Sequence, residues 1–310
     1  MHHGQVEKTP ASTVALPAAP RVSHPGRIVD PESGVTKIDM VRYYALVAEL
    51  MTPHLWRRPV ALVRAPDGIG GQLFFQKHPE RYKMAGFREL DPALFPGHPP
   101  MLEIAAPREG LVAAAQMNVI EVHTWNGVVP TIDRPDRMTF DIDPGEGVQW
   151  HQVQQGAVRV RALLTELGLP AFLKTSGGKG LHVVVPLTPQ LDWDTVKDFS
   201  QAVVQHLART LPDCFVARSG PKNRVGRIFI DYLRNGYGAT TACAWSARAR
   251  PGLGISVPVG WDELDGLKGG AHWTVRTVHE RLDEGNAPWA DYEKSRTTLG
   301  AAMNKQGFRR

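Results

Sequence analysis

The spacing of apolar residues predicts a chain in which helices and strands alternate. Apolar residues that recur every three or four positions predict a first helix over 36–51: Met40, Tyr44, Val47 and Met51. Similar patterns predict helices over 110–117, 153–167, 196–207 and 273–282. Short apolar runs and two-residue alternation predict strands over 60–63, 73–75, 119–122, 138–142, 171–175, 181–185, 227–231 and 241–245.

The order of these elements favours an α+β fold with a mostly antiparallel sheet in its second half. No repeat of fixed period is visible in the chain. Residues 1–20 are rich in alanine, proline and threonine and lack apolar periodicity. We therefore expect this segment to be a disordered leader or a linker.

The composition is typical of a globular protein that can build a core without cross-links. Of the 310 residues, 42% are hydrophobic, and the two cysteines, Cys214 and Cys243, are too few for a zinc cluster. No apolar run approaches the roughly 18 residues of a membrane span, and no charged start leads into an apolar secretion segment. We expect a soluble, cytoplasmic protein with no membrane partner.

The charge is mild overall but uneven along the chain. The formal net charge is +5, whereas residues 218–250 alone carry seven basic residues and one acidic residue, Asp231. That stretch therefore holds +6 and the remainder of the chain −1. Two interpretations stay open, a solvated basic face and a polyanion site built around one functional carboxylate.

Three aspartates lie at the ends of two predicted strands. In TFDIDPGEG, Asp141 and Asp143 are two residues apart and share one strand face, while Phe140 and Ile142 face the core. Asp231 ends the strand RIFID. Carboxylates about 5 Å apart repel by roughly 3 kcal/mol at an effective dielectric of about 20, so a cation or a proton must offset them. Oxygen ligands suit Mg²⁺ or Mn²⁺, and three carboxylates can hold two ions for phosphoryl or nucleotidyl transfer. A solvated strand end is the simpler alternative.

The segment KTSGGKGLHVVV predicts a phosphate-binding loop between two strands. Its glycines let the backbone approach an anion closely, and successive N–H groups can form an anion nest. Ser176, Lys179 and His182 add a hydroxyl, a positive charge and an imidazole donor. The spacing differs from that of a P-loop, and a strand follows instead of a helix. A tight hairpin with a solvated lysine is the alternative.

The succession of FDID–PGEG, SGGKGLH and FIDYLRN is more specific than any single motif. It resembles the archaeo-eukaryotic primase superfamily and, within it, the polymerase domain of bacterial ATP-dependent DNA ligase D, which acts in non-homologous end joining. The likeness covers about residues 20–300 and includes LFFQKH, EVHTWN and WSARAR. It implies two α/β modules with mainly antiparallel sheets, one like an RNA-recognition motif, around a shared active cleft.

The resemblance also implies a division of the chain and roles for residues that match its motifs. A primase-polymerase domain would cover 21–300, with modules of approximately 21–130 and 131–300, and 301–310 would form a basic C-terminal tail. Asp141 and Asp143 would bind two Mn²⁺ or Mg²⁺ ions, and Asp231 would bind the catalytic one near the primer 3′-hydroxyl. A further group would hold the nucleotide: Ser176, Lys179, His182, Arg234, Arg248 and His123. For His123, a buried hydrogen-bonded histidine is an equal alternative.

Other matching residues would contact DNA. Phe74 and Phe75 would stack on the template or the incoming base pair, unless they belong to a plain core strand. Lys77 and Arg27 would contact the 5′-phosphate of a gap or end, although relatives often carry lysine where this chain has Arg27. Arg224 would contact the template strand.

We therefore expect a template-dependent DNA/RNA polymerase, a nucleotidyltransferase that adds nucleotides to primer 3′ ends at gaps and double-strand breaks. The resemblance implies a preference for ribonucleotides, ligase and nuclease domains in the same polypeptide, a Ku-type end-binding partner and a bacterial, nucleoid-associated location. A metal-dependent phosphoesterase or nuclease could use the same three carboxylates. A non-catalytic module that binds DNA ends is the other alternative.

Overall fold

The computed structural model describes residues 21–80 and 83–309. The predicted leader over 1–20 lies outside these residues. The strands, in chain order, are β1 (Ile28–Asp30), β2 (Val35–Thr36), β3 (Val60–Arg64), β4 (Phe74–Gln76), β5 (Phe87–Glu89), β6 (Leu102–Ile104), β7 (Val119–Trp125), β8 (Arg137–Pro144), β9 (Phe172–Thr175), β10 (Leu181–Pro186), β11 (Phe215–Val216), β12 (Ile228–Asp231), β13 (Thr240–Ala242) and β14 (Pro258–Val259).

The α-helices are α1 (Lys37–Leu55), α2 (Pro107–Gln116), α3 (Trp150–Glu166), α4 (Trp193–Thr210) and α5 (Gly300–Gln306). The start of α1 is fixed by Thr36, whose backbone N–H and hydroxyl both donate to the Asp39 carboxylate at 2.9 Å. The apolar stripe that predicted α1 is buried: Met40, Tyr44, Val47 and Met51. Local capping and one apolar face thus specify this helix.

Two six-stranded sheets form the body of the protein. The first has the order β13-β7-β3-β6-β5, with β4 paired to β3, and the second has the order β11-β12-β8-β10-β9-β14. All neighbouring pairs in both sheets are antiparallel except β11 and β12. Helices α1 and α2 pack together beside the first sheet, and α3 and α4 contact the second. The predicted α+β fold with mainly antiparallel sheets is confirmed.

The two sheets are not consecutive in the sequence. Strand β13 follows β12 after a short turn but pairs with β7 in the first sheet, beyond the module boundary expected near residue 130. One hydrophobic core contains residues of both sheets, among them Leu62 and Val122 from the first and Phe140 and Val183 from the second. The chain therefore crosses between the sheets and joins them through a common interior.

The helix predicted over 273–282 is wrong. Only Val278–Glu280 forms a short 3₁₀ turn there. The segment before it runs extended, since the backbone N–H of Ile255 donates to the Trp273 carbonyl and that of Val275 to the Leu253 carbonyl. Trp273, Val275 and Val278 are all buried. Their spacing imitates a helical stripe although the chain lies alongside another segment.

The predicted basic tail also differs from the structure. Helix α5 covers most of 301–310, with Ala302 buried, and the ring of Phe308 lies edge-on to Phe199 at 5.7 Å. This segment therefore packs on the protein. Within the described residues, no helix is long and apolar enough to cross a membrane.

Candidate active site

The antiparallel pairing of β8 brings the three aspartates to one end of the second sheet. Asp141 lies opposite Asp231 of β12 on one side and opposite His182 of β10 on the other. Asp143 follows two residues later, and the alternate residues Phe140 and Ile142 are completely buried. The structure thus brings together Asp141 and Asp231, which are 90 positions apart in the chain.

Arginine side chains accompany these carboxylates. Arg234 Nε lies 3.1 Å from Asp231 Oδ2 and 3.8 Å from Asp141 Oδ2, so it bridges two strands. Arg224 forms an ion pair with Asp143. The expected template-strand residue Arg224 therefore lies against a carboxylate in this structure. These pairs supply the positive charge that the adjacent acids require.

The three carboxyl groups have different acidities. Burial alone would raise the pKa of Asp141, but His182 and Arg234 outweigh it and lower the pKa to about 2. Burial and the charge of Asp141 raise the pKa of Asp143 despite Arg224. Burial likewise raises the pKa of Asp231 despite Arg234. Asp141, whose carboxylate lies near both His182 and Arg234, is thus the most acidic of the three, and the other two gain most from any further cation.

The donor set can be compared with the needs of a divalent ion. Among residues 21–80 and 83–309, no group of three or more His, Cys, Asp or Glu side chains is arranged as a metal-binding cluster. The carboxylate oxygens of Asp141, Asp143 and Asp231 are nevertheless the hard ligands that Mg²⁺ and Mn²⁺ take. The residues therefore fit such an ion by chemistry, while Arg224 and Arg234 hold their oxygens in ion pairs.

The glycine-rich segment forms the hairpin between β9 and β10. Ser176 Oγ accepts from the N–H groups of Gly178 and Gly180 at 3.0 and 3.1 Å, so this hydroxyl organises the loop from inside. A Cβ atom on Gly180 would lie 1.9 Å from the Ile142 carbonyl oxygen, which explains the need for glycine beside the acidic strand. Lys179 is exposed at the tip. The predicted loop therefore lies directly beside the carboxylates.

His182 contacts the acidic strand and lies beneath the loop. It is 2% exposed, and its Nε2 lies 3.4 Å from Asp141 Oδ1, whereas Nδ1 is buried without a partner. Burial, together with Lys174, lowers the pKa of His182 to about 4. Neutral imidazole still carries one N–H, so a donor role does not require the protonated ring.

Lys174 joins the two sheets below this point. Lys174 is buried on β9, where it lies opposite His182 of β10. Its Nζ donates to the Ala242 carbonyl of β13 at 2.6 Å and to Ser256 Oγ at 2.8 Å. Burial lowers the pKa of Lys174 to about 7. The sequence analysis did not identify this residue, because an amine buried without a carboxylate contact leaves no distinctive pattern.

The first sheet contributes His123 through β7. Its Nε2 lies 2.5 Å from Glu121 Oε2 on the same strand face, and its ring lies edge-on to Phe75 at 6.0 Å. Arg248 Nε lies 3.1 Å from the same Glu121 oxygen, and its Nη1 donates to the Ser176 carbonyl at 2.8 Å. His123 and Arg248 therefore meet at Glu121. Sequence reasoning missed this glutamate, although its two-residue spacing from His123 was visible in EVHTWN.

The two phenylalanines are surface residues. Phe74 is 46% exposed and Phe75 53% exposed, which excludes the alternative of a plain core strand. Among residues 21–80 and 83–309, strand β4 pairs only with β3, and this edge position leaves both rings accessible. Lys77 is exposed as well, with its Nζ 5.3 Å from the centre of the Phe75 ring.

Arg27 contacts the residue that precedes β7. Its guanidinium donates to Asn118 Oδ1 just before β7, and in the described part of the chain no contact joins it to Lys77. The two expected end-binding residues are thus not brought together by a direct contact.

A cleft of about 1100 Å³ opens beside Asp143. Its basic wall includes residues that the sequence analysis did not select, namely Arg250, Lys268 and His272, together with the expected Lys179 and Arg224. The chain around Gly270 packs on the glycine loop, since a Cβ atom there would lie 2.4 Å from the Gly180 carbonyl oxygen. Asp143, the glycine loop and cationic side chains therefore share one cleft.

Comparisons with known proteins agree with this arrangement. A family model described as the LigD primase-polymerase domain matches residues 36–289. The multifunctional non-homologous end joining protein LigD of Pseudomonas aeruginosa is 52% identical over 294 residues, which are 94% of this chain and 35% of that protein. LigD of Mycolicibacterium smegmatis is 32% identical over 85% of this chain and 35% of its own length. The polymerase domain of Mycobacterium tuberculosis ligase D, solved in complex with DNA, has a TM-score of 0.78 and 27% identity over 89% of this chain and 98% of that one.

The match to a solved polymerase domain covers 89% of this chain, and the acidic strand ends adjoin a glycine loop. Together with the family model, these findings define a DNA-directed nucleotidyltransferase of the primase-polymerase class. The family model covers most of the sequence. The chain belongs to the LigD primase-polymerase family. It spans 35% of the length of the two LigD relatives named above. Polymerase domains of this kind are generally metal-dependent.

Proposed function

We propose that this chain extends primer 3′ ends at DNA gaps and double-strand breaks, in repair by non-homologous end joining. The observation that carries the proposal is the cross-strand pairing of Asp141 and Asp231 beside the SGGKG hairpin. The names of the LigD relatives and the DNA bound to the structural neighbour support the same role. Work on chromosomal breaks would place the protein at the bacterial nucleoid.

Two Mg²⁺ or Mn²⁺ ions would be held by Asp141 and Asp143, with Asp231 as a ligand of one of them. Bound there, the ions would supply positive charge at the primer hydroxyl and at the leaving pyrophosphate. Arg224 and Arg234 would release the carboxylate oxygens that they now pair with. Arg234 would then be free to contact the nucleotide, and Arg224 the template strand.

The nucleotide would lie between the glycine loop and the first sheet. Lys179 would reach its phosphates from the loop tip, with Ser176 and His182 holding the loop and the adjacent acid. Arg248 and His123 would approach from the opposite side. Fixed donors at a site of developing negative charge stabilise the transition state without reorganisation.

The DNA would lie along the edge formed by β4. The exposed rings of Phe74 and Phe75 offer stacking surfaces, since base–aromatic stacking tolerates any sequence. Lys77 and Arg27 would contact a 5′-phosphate. Ribonucleotide preference, ligase and nuclease domains in one polypeptide, and a Ku-type partner follow from the ligase D relationship and belong to this proposal.

A labelled primer–template incubated with Mn²⁺ and nucleotides tests the proposal. Extension supports it, shortening would indicate the nuclease alternative, and retention without change would indicate a binding module. The Asp141→Ala protein should show no extension with any nucleotide yet remain folded, since Asp141 lies at a strand end outside the hydrophobic core. Asp133→Ala, which changes an exposed acid elsewhere, is the matched control. Extension near the wild-type rate by Asp141→Ala would refute the assignment.

A further inference from the structure

We propose that Glu121 is a positioning residue that orients His123 and Arg248 toward the nucleotide. The inference rests on the proposed function of the cleft and assigns a role to a carboxylate that would itself touch neither metal nor substrate.

Glu121 uses both carboxylate oxygens within the protein. Its side chain lies on β7 and the residue is 7% exposed. Oε1 accepts from the backbone N–H of Ala249 at 2.7 Å. Oε2 lies 2.5 Å from His123 Nε2 and 3.1 Å from Arg248 Nε. One buried acid thereby fixes the imidazole of His123, the guanidinium of Arg248 and the backbone of the residue that follows Arg248.

The Arg248 side chain is held by two contacts but keeps further N–H donors. Its Nη1 donates to the Ser176 carbonyl at 2.8 Å, where the glycine loop begins. Its Nε forms the 3.1 Å ion pair with Glu121 without the alignment of a hydrogen bond. Arginine has five N–H groups, so donors remain for an incoming anion. Glu121 on the first sheet therefore helps to set a cation against the loop of the second.

The Glu121 carboxyl group is ionised at neutral pH. Burial alone would raise its pKa, but His123 and Arg248 lower the pKa to about 2. A neutral glutamine of the same shape could still accept from Ala249, but its NH₂ group could not pair with a guanidinium. Loss of the charge would leave Arg248 without a carboxylate partner, and its side chain could adopt other orientations.

The first experiment measures single-nucleotide primer extension by Glu121→Gln. The KM for nucleotide should rise by about 10- to 100-fold, the loss expected for charge-assisted contacts, while DNA affinity stays within about twofold of wild type. Glu103→Gln is the matched control, because Glu103 is a buried carboxylate of the same sheet that pairs with Arg88 outside the cleft. Equal KM increases in both variants would mean that only general stability changed, and would overturn the inference.

A double-mutant cycle tests whether Glu121 acts through Arg248. On an Arg248→Ala background, Glu121→Gln should raise KM by less than about threefold, because the group that it orients is already absent. If the KM increases of Glu121→Gln and Arg248→Ala multiply fully in the double variant, the inference is contradicted. Should Glu121→Gln fail to fold, Glu121→Asp keeps the charge, withdraws the carboxylate by one methylene and should give an intermediate KM. A wild-type KM for Glu121→Asp would then count against positioning.

The outcomes separate this inference from the proposed function. A wild-type protein that neither binds nucleotide nor extends a primer refutes the proposed function, and the role of Glu121 with it. A wild-type protein that extends primers, beside a Glu121→Gln protein with unchanged KM, refutes only the role of Glu121.

Discussion

The two six-stranded sheets carry different candidate functional side chains. The second sheet ends in carboxylates that lie in register across β8 and β12 and are paired with arginines. The first sheet carries exposed aromatic rings on β4, whereas the Glu121 carboxylate on β7 is buried. Concentrated charge suits a reacting phosphate, whereas flat apolar rings suit bases. We therefore propose that the second sheet carries the chemistry and the first sheet places the substrate.

Side-chain contacts connect the two sheets near the candidate site. Arg248 follows β13 of the first sheet and bonds to the loop of the second, and Lys174 of the second bonds to β13. Groups that we propose to act on one substrate are therefore connected across a common interior. Single substitutions in each sheet can separate the contributions of the two sheets.

The largest effect should come from the second sheet. Asp231→Asn keeps the shape of the side chain but removes one of three charges, so nucleotide addition should fall by about 1000-fold or more. Gel-based extension at saturating nucleotide measures this. Asp213→Asn, at an exposed position, should behave as wild type. A loss below about tenfold would show that Asp231 is dispensable for chemistry.

The glycine loop should discriminate between nucleotide and DNA. Lys179→Ala should weaken nucleotide binding by about 10- to 150-fold, the value of a hydrogen bond to a charged group, and should change DNA binding far less. Titration of each ligand by fluorescence measures both affinities. Lys294→Ala, at an 83% exposed lysine elsewhere, is the control. Equal losses for both ligands would mean that the loop is a general anion patch.

The first sheet should show the opposite pattern. Phe75→Ala should weaken primer–template binding by about 5- to 150-fold, since stacking contributes about 1–3 kcal/mol per base. Thermal stability should hardly change, because the ring is 53% exposed. Trp56→Ala, which removes another exposed aromatic ring, serves as control. Unchanged DNA affinity in Phe75→Ala would remove the stacking role from β4.

The contact between the sheets should be visible in the pH dependence of stability. Burial lowers the pKa of Lys174 from 10.5 to about 7, so between these values the unfolded chain binds a proton that the folded chain does not. The free energy of unfolding should therefore rise with pH in this window, by up to about 1.4 kcal/mol per unit. Urea unfolding at several pH values should show this slope reduced in Lys174→Met. Identical slopes would contradict a buried neutral amine.

The smallest effect concerns DNA ends. Binding to a gapped duplex should be a few-fold tighter with a 5′-phosphate than with a 5′-hydroxyl, because a terminal phosphate carries more charge. Lys77→Ala should erase the difference and Asp141→Ala should keep it, with all affinities measured at one salt concentration. Arg27→Ala tests whether the second expected residue takes part, since Arg27 bonds to Asn118. Equal wild-type binding to both gaps would refute end recognition.

Strand periodicity predicted much of the second sheet. The alternation in FDID placed Phe140 and Ile142 inside and the aspartates together, because a strand has a two-residue period that tertiary packing rarely alters. It did not predict the register that sets Asp141 directly opposite Asp231, nor the pairing of Arg224 with Asp143. Those contacts join residues more than 80 positions apart and depend on how the whole sheet assembles.

Three other features of the structure could not be predicted from the sequence, again for physical reasons. A plain core strand was the open alternative for Phe74 and Phe75, yet both are exposed, since an edge strand paired on one side lacks cover. Glu121 reads as an ordinary strand residue until Arg248, 127 positions later, packs against it. Trp273 and Val275 imitate a helix because an extended segment can also bury residues at irregular spacing.

The division of labour between the sheets can be tested by single-turnover nucleotide addition on gapped DNA, with Mn²⁺ and nucleotide in excess and increasing protein. The expected result is that Phe75→Ala approaches the wild-type rate once DNA is fully bound, while Asp141→Asn stays about 1000-fold slower at every concentration. The contradictory result is a Phe75→Ala rate that remains as low as that of Asp141→Asn at saturation, or an Asp141→Asn rate that recovers.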